Sequence, residues 1–361
     1  MKIMIAGDFS PKERITPLIE GEKYEAIFGD IRQIVAGADC AIVNFESTIA
    51  DATDSPISKN GPNLRCPSES LQALKYAGFN VLTLANNHFS DYGDTGIKKS
   101  LTLAKDLDFK VVGGGINIED ASKNLYIEIN GKTLCVINCC EKEFNIATAN
   151  QGGSNPLNPV KQFYAIQEAK QKSDYILVIV HGGSEHYNLP TTRMQDTYRF
   201  FIDAGADAVV NHHQHCFSGY EIYQGKPIFY GLGNFCFDYG EAAQKHPSWN
   251  YGVLLELDTE GSFRMIPILQ CADSPAVKIV DDQTEFEKTI KDLNKIIADR
   301  NALESSQEKF FASTSAYCKS IFETNWHGII FPIKEGKWNQ IKNYILCDSH
   351  RDELEWLLNN R

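Results

Sequence analysis

Short apolar runs alternate with amphipathic segments along most of the chain. Runs typical of buried strands occur at residues 2–6, 39–45, 81–85, 110–112, 175–180, 208–210, 253–257 and 263–269. Helical periodicity is found at 68–77, 94–107, 160–172 and 192–204, with Ser68 expected to cap the first of these helices and Gly78 to end it. Asn130-Gly131 and the turn around Gly225 predict two β-hairpins. This alternation of strands and helices, with hairpins inserted, predicts an α/β fold with mixed sheets.

Beyond residue 272 the pattern becomes helical. Leu and Ile recur at helical spacing among Lys and Glu over 283–300, 302–323 and 335–360, and an apolar run at 326–331 interrupts them. We therefore divide the chain into one domain over residues 1–272 and a helical C-terminal region over residues 273–361. This region is expected to pack on the first domain or on a partner.

Polar side chains that bind metals follow several of the predicted strands. Asn86-Asn87-His88 comes directly after the run at 81–85, and the other candidates at strand ends are Asp8, Glu46, His181, His213 and His215. Functional sites of α/β folds gather beyond the carboxyl ends of strands. Oxygen and imidazole donors together suit Mn, Fe or Zn and differ from the thiolates of structural zinc sites. The sequence therefore predicts a metal centre.

Asp8, Glu46, Asn87, His181, His213 and His215 are together about as many ligands as two ions need if one carboxylate or hydroxide is shared. Two divalent ions, two carboxylates and one hydroxide carry a net charge of about +1, which attracts a phosphate. His213 and His215 are expected to point the same way from an extended segment. His212 would then point to the opposite side and serve either in packing or in supporting the ligands from behind.

His88 is expected to lie beside the metals, because neighbouring side chains diverge. An imidazolium there could protonate a leaving alkoxide, which contributes roughly 10²–10⁴-fold. Asp91 either orients His88 or serves as a turn or capping residue. Arg65 either binds a substrate phosphate or carboxylate or braces its loop. Glu185 and His186 are candidates for the substrate side of the site, with a loop role as the alternative.

Composition narrows the possible functions. The net charge is -12 and the sequence has no run rich in Lys and Arg, which argues against general binding of nucleic acid. The ten cysteines include no C-x-x-C pair and are expected to be buried, free thiols, as in a reducing compartment. The sequence has no apolar run long enough to span a bilayer. We expect a cytoplasmic protein without a membrane span.

Several motifs resemble the calcineurin-like metallophosphoesterase superfamily and, within it, the capsule-biosynthesis (CapA, or poly-γ-glutamate synthesis) family. They are Gly7-Asp8, Asn44-Phe45-Glu46, Ala85-Asn86-Asn87-His88, His181-Gly182-Gly183-Ser184-Glu185, His213-Gln214-His215 and Leu232-Gly233-Asn234-Phe235. The resemblance extends over roughly residues 1–240. It implies a metallophosphoesterase-like two-sheet β-sandwich flanked by helices, with a dinuclear site between the sheets.

The resemblance also implies a role for each ligand. Asp8 and His215 would bind the first metal, and Glu46 would bridge the two metals in place of the usual Asp. The second metal would be bound by Asn87, His181 and His213, and His88 would be the general acid.

The chain departs from this pattern in its opening motif. The superfamily has Asp-x-His where this sequence has Asp8-Phe9-Ser10. The first metal is therefore expected to lack one ligand, so that one or two divalent ions (Mn, Fe or Zn) could bind. The family's His-Trp-Gly is replaced by His181-Gly182-Gly183.

Two functions follow from these residues. The first is hydrolysis of a small anionic or carbohydrate-linked phosphoester in the metabolism of a cell-surface polymer, in which metal-bound hydroxide attacks phosphorus and His88 protonates the leaving group. The second is a non-hydrolytic binding or assembly role in capsule or poly-γ-glutamate synthesis, in which the C-terminal helices contact assembly proteins. A minor third possibility is an amide-bond hydrolase or ligase that acts on γ-linked glutamate.

Overall fold

The structure is a computed structural model that describes residues 1–241, 246–323 and 335–360. Its strands are β1 (Lys2–Ser10), β2 (Cys40–Phe45), β3 (Thr48–Ile49), β4 (Arg65–Cys66), β5 (Val81–Thr83), β6 (Lys110–Val112), β7 (Gly114–Gly115), β8 (Leu125–Ile129), β9 (Lys132–Cys140), β10 (Gly153–Ser154), β11 (Tyr175–His181), β12 (Ala208–His212), β13 (Tyr220–Tyr223), β14 (Lys226–Phe229), β15 (Asn234–Phe237), β16 (Tyr251–Asp258), β17 (Phe263–Gln270) and β18 (Val277–Ile279).

The helices alternate with these strands and then dominate the C-terminal part of the chain. They are α1 (Thr16–Glu20), α2 (Tyr24–Val35), α3 (Glu69–Ala77), α4 (Gly93–Asp106), α5 (Ile118–Ala121), α6 (Pro159–Ala169), α7 (Thr192–Ala204), α8 (Thr284–Ala298), α9 (Arg300–Glu323), α10 (Glu335–Leu346) and α11 (Asp348–Asn359).

Two mixed sheets face each other. The first has the order β18-β17-β16-β1-β2-β5-β6, with β15 also paired to β1, and the second has the order β13-β14-β12-β11-β9-β8. Strands β1, β2, β5 and β6 run parallel to one another, as do β9, β11, β12 and β14. The carboxyl ends of the parallel strands in each sheet therefore bring their polar residues together.

The alternation of side chains along the strands builds three apolar layers. Ile3 and Ile5 of β1 join the layer between the sheets, together with Leu177 of β11. Met4, on the other face of β1, packs with helices α2 and α3. Val178, on the other face of β11, packs with α6 and α7. The order is therefore helices, sheet, sheet, helices, which is the two-sheet sandwich flanked by helices that we expected.

The C-terminal helices pack on the second sheet's helical layer. Leu293, Ile297 and Leu303 belong to the same apolar cluster as α6 and α7. A partly buried set of ion pairs reinforces this contact, because Arg193 of α7 lies 2.7 Å from Glu141 and 2.8 Å from Asp352 of α11. The region we expected to be helical over 302–323 and 335–360 is present as α9, α10 and α11.

Several expected boundaries differ in the structure. Strand β18 lies beyond residue 272 and pairs with β17, so the purely helical part begins at Thr284 and not at residue 273. Strand β1 runs through Asp8 to Ser10 instead of ending before Asp8, because β15 pairs with its last residues. The side chain of Ser68 makes no capping hydrogen bond and instead donates to Glu69. The apolar run at 326–331 lies outside the described residues.

The expected hairpins at Asn130-Gly131 and Gly225 are β8–β9 and β13–β14. Each of the ten cysteines is buried. Within the described ranges, the structure contains no helix that is both long and apolar enough to cross a bilayer.

Leu177→Ala tests the layer between the sheets. Leu177 is 0% exposed, and deletion of a buried leucine side chain leaves a cavity, so the free energy of unfolding should fall by about 2–5 kcal/mol. Urea denaturation followed by circular dichroism measures this. The matched control is Leu358→Ala on α11, which is 59% exposed and should change stability by less than about 0.5 kcal/mol. Equal losses in the two variants would contradict the assignment of this layer.

Candidate metal centre

The two sheets bring all six expected ligands into one cluster. Asp8 lies in β1, Glu46 follows β2, and Asn87 follows β5 after a short turn, all from the first sheet. The second sheet contributes His181 from the end of β11, and the loop after β12 contributes His213 and His215. His181 joins the two sets of residues. Its Nε2 lies 3.0 Å from Asn87 Oδ1 of the first sheet and 3.1 Å from His213 Nδ1 in the loop of its own sheet.

Asp8 is held in place by the backbone around it. A Cβ on Gly7 would lie 1.9 Å from the carbonyl oxygen of Gly233, so only glycine allows β1 to pass this close. The amide of Asp8 donates to the same oxygen at 3.2 Å. The Asp8 carboxylate accepts hydrogen bonds from the Asn44 side chain at 2.7 Å and from the backbone amide of His213 at 3.1 Å.

Glu46 lies at the centre of the cluster and is fully buried. Its Oε1 lies 3.5 Å from His181 Nε2 and 3.9 Å from both His215 Nε2 and His88 Nε2. Neither carboxylate oxygen has a hydrogen-bond partner among the described residues. A buried carboxylate without partners is costly, and a cation at this point would relieve that cost.

Two groups of donor atoms share Glu46. One consists of Glu46, His181 and His213, and the other of Asp8, Glu46 and His215, with the ligand atoms of each group within 4.8 Å of one another. Carboxylate oxygens and imidazole nitrogens in such groups fit Mn, Fe or Zn. Glu46 therefore belongs to two candidate ion sites.

The protonation equilibria of these groups also fit cation binding. Burial raises the pKa of Asp8 to about 7 and raises the pKa of Glu46 well above its usual range, where the negative charge of Asp8 adds to the effect. Burial lowers the pKa of His213 and of His215 to about 3 and lowers the pKa of His181 well below its usual range. The imidazoles are therefore neutral and keep a lone pair for a metal.

His213 and His215 do not lie in an extended segment, so our geometric argument for them was wrong. Strand β12 ends at His212, and the two residues have φ angles of +90° and +56°. Both φ values fall in the region that non-glycine residues rarely adopt. His212 is also closer to the centre than expected, since its Nδ1 lies 3.7 Å from Asp8 Oδ1 and its ring has no hydrogen-bond partner among the described residues.

His88 lies beside the cluster, and its ring is held by contacts on the side away from the cluster. Asp91 Oδ2 lies 2.7 Å from His88 Nδ1, so Asp91 orients the ring rather than only closing a turn. Lys59 contacts Asp91 and lies 3.1 Å from His88 Nδ1, with only 3% of its side chain exposed. Burial lowers the pKa of His88, and the charge of Lys59 acts in the same direction. Lys59 was missed because no pattern in its loop distinguishes it.

The cluster opens into a cavity of about 650 Å³. Glu185 and His186 line this cavity, as expected for groups on the substrate side. Glu143, which the sequence analysis missed, also lines it and lies 3.9 Å from His213 Nε2. Arg65 does not line the cavity. Its side chain is exposed and donates to the carbonyl of Asp51, so the expected substrate contact of Arg65 is not supported.

Comparison with known proteins identifies the family. The model of the family described as "Bacterial capsule synthesis protein PGA_cap" matches residues 2–239. The chain belongs to this family. The capsule biosynthesis protein CapA of Bacillus anthracis is 29% identical over 307 residues, which are 82% of this chain and 74% of that protein. The PGA biosynthesis protein CapA of Bacillus subtilis (strain 168) is 31% identical over 293 residues, which are 80% and 76% of the two chains.

A solved structure was also matched. The calcineurin-like phosphoesterase YfkN from Bacillus subtilis superposes with a TM-score of 0.39 at 14% identity, covering 85% of this chain and 98% of that chain. The family model ends at residue 239, so helices α8 to α11 lie outside it.

Glu46→Gln tests whether the central carboxylate serves a cation. Mn²⁺ should raise the melting temperature of the EDTA-treated wild type, because a ligand at 100 times its dissociation constant stabilises by about 2.7 kcal/mol. In EDTA the variant should melt at about the same temperature as the wild type, because a neutral amide replaces a carboxyl group whose pKa is raised by burial, but it should gain little from Mn²⁺. Differential scanning fluorimetry measures both, with the exposed Glu20→Gln as the matched control. An undiminished Mn²⁺ response in Glu46→Gln would contradict this role.

Proposed function

We propose that this protein is a metal-dependent phosphoester hydrolase that acts in the synthesis of a capsule or another cell-surface polymer. The observation that carries the proposal is the buried Glu46 carboxylate, which has no hydrogen-bond partner among the described residues and is shared by two groups of donor atoms. Pairs of divalent ions in such sites commonly serve phosphoester chemistry. Membership of the capsule synthesis family supports the biological setting.

Each half of the cluster would hold one ion. Asp8, Glu46 and His215 would hold the first, and Glu46 would be shared with a second site formed by Asn87, His181 and His213. Bound divalent ions would supply Lewis-acid charge to a phosphoryl group and make a water more acidic. The protein's own contribution is to hold the donors in position and to exclude bulk water, since all six side chains are buried.

His88 is the candidate general acid. Its Nδ1 is occupied by Asp91, which leaves Nε2 facing the cluster 3.9 Å from Glu46 Oε1. A proton on Nε2 could pass to the leaving oxygen of a phosphoester bound at the cluster. Because burial and Lys59 lower the pKa of His88, its protonated form is a stronger acid than a free imidazolium, and a phosphate dianion nearby would favour that form.

An anionic substrate would need positive charge at the cavity in spite of the net charge of -12. Lys12 and Lys59 both line the cavity beside the cluster. Lys12 also lies over the rings of Phe237 and Tyr239, at 4.7 and 4.9 Å from their centres. Because Lys59 is paired with Asp91 and Glu143 and Glu185 also line the cavity, the attraction for phosphate would come from Lys12 together with the bound ions.

One observation favours the alternative, a binding or assembly role without hydrolysis. The position where the superfamily pattern has a histidine is Ser10, which is buried, and the preceding Phe9 packs in the apolar core. The first donor group is therefore one imidazole short of that pattern. The same pocket could then hold an anionic polymer or intermediate without cleaving it.

His88→Gln tests the hydrolase directly. The Mn²⁺-loaded wild type should hydrolyse glycerol 2-phosphate, whose alkoxide leaving group needs a proton, and the variant should lose roughly 10²–10⁴-fold in kcat while keeping its metal content. Asp91→Asn should lose less than His88→Gln, because it misorients the ring without removing it. The matched control for Asp91→Asn is Asp106→Asn, at an exposed position of α4.

Elemental analysis of the metal content of the same samples distinguishes the hydrolase from the assembly role. Bound metal with no turnover would favour the assembly role over the hydrolase. Lack of metal after reconstitution would contradict both the ion sites and the hydrolase.

A further inference from the structure

The cavity in front of the cluster is closed on one side by the C-terminal helices. Its lining includes Thr314 of α9, Asn343 of α10, and Ser349 and His350 of α11, together with Asn87 and His88 of the cluster. None of these helical residues belongs to the segment that the family model matches. The wall of the site opposite the cluster is therefore built by the part of the chain that follows the shared domain.

This wall is firmly attached to the strands that carry the cluster. Arg193 pairs with both Glu141 and Asp352, and Glu141 Oε2 also accepts a hydrogen bond from the backbone amide of Ser349 at 3.1 Å. The backbone amide of Glu141 in turn donates to the carbonyl oxygen of His181 at 3.0 Å. One residue thus connects α11 to the end of β11, which fixes the wall relative to the cluster.

The side chains of the wall are mostly neutral and polar. Asn343 is 5% exposed, and its Nδ2 lies 3.2 Å from His350 Nδ1. Its Oδ1 has no hydrogen-bond partner among the described residues. The one acidic group, Glu353, is occupied by a 2.7 Å hydrogen bond from Thr314. Asn343, Ser349 and His350 therefore place neutral donor and acceptor groups along this side of the cavity.

The size of the cavity also indicates a bound molecule that is larger than a phosphate group. A phosphate group alone would leave most of about 650 Å³ empty, and this volume lies in the range of pockets that hold whole small molecules, about 300–1,000 Å³. With the phosphate at the cluster and the lysines, the remainder of the substrate extends toward the wall.

We propose that the C-terminal helices bind the alcohol portion of the substrate through Asn343, Ser349 and His350, and that this portion is a sugar. The inference rests on the proposed function, because it places the phosphate at the metal cluster. A sugar offers hydroxyl groups that can both donate to and accept from these neutral polar side chains, whereas a flat aryl group offers none. The C-terminal helices are therefore the specificity element of the site.

Kinetics with glucose 6-phosphate, N-acetylglucosamine 6-phosphate and p-nitrophenyl phosphate test this. The Mn²⁺-loaded wild type should have a higher kcat/KM for at least one sugar phosphate than for the aryl phosphate. Asn343→Ala and His350→Ala should each lower that kcat/KM by about tenfold, mainly through KM, which corresponds to one lost hydrogen bond. The aryl phosphate should change less than about twofold, and the exposed Asn359→Ala should change neither substrate. Thermal melts verify that each variant is folded.

Two results would overturn the inference: no sugar phosphate preferred over the aryl phosphate, or equal losses for both substrates in the wall variants. Absence of hydrolysis of every phosphoester would instead contradict the proposed function. In that case calorimetric binding of glucose 6-phosphate to the Mn²⁺-loaded protein decides, because Asn343→Ala should weaken it about tenfold and equal affinity would overturn the wall assignment.

Discussion

The buried carboxylate of Glu46 is the constraint on which the site depends. It has no hydrogen-bond partner among the described residues, and it lies between imidazoles that burial keeps neutral. A charge in such a place is tolerated only if something positive meets it. His181 and His215 approach Glu46 from the second sheet. The cluster therefore forms only when the two sheets pack face to face. Each sheet alone would carry an incomplete set of ligands.

The C-terminal helices are also connected to the cluster. Glu141 follows β9, bonds to the backbone of His181, and also holds α11 through Arg193 and the amide of Ser349. Packing of these helices on α7 therefore shapes the cavity as well as stabilising the fold. A chain cut at the end of the shared domain would retain the cluster's ligands but would lose one wall of the cavity.

The sequence predicted the parts of the site that follow local patterns. Glu46, Asn87 and His181 stand at or just after strands of period 2 or of continuous apolar character, and parallel strands bring such residues to one edge. It could not predict the loop geometry of His213 and His215, whose positive φ angles depend on tertiary contacts. Lys59 and Glu143 come from irregular loops, and Arg65 was assigned from charge alone. Helical spacing predicted α9 to α11 but not what they face.

Anomalous diffraction from crystals grown with Mn²⁺ tests the central claim most directly. Data collected at the manganese edge should show two peaks about 3.5–4 Å apart, one between Asp8 and His215 and the other between His181 and His213, with Glu46 between the peaks. A single peak at the His181 side would mean that Ser10 leaves the first site too weak to fill. No peak beside Glu46, in a protein that is folded and saturated with Mn²⁺, would contradict the metal centre and the hydrolase built on it.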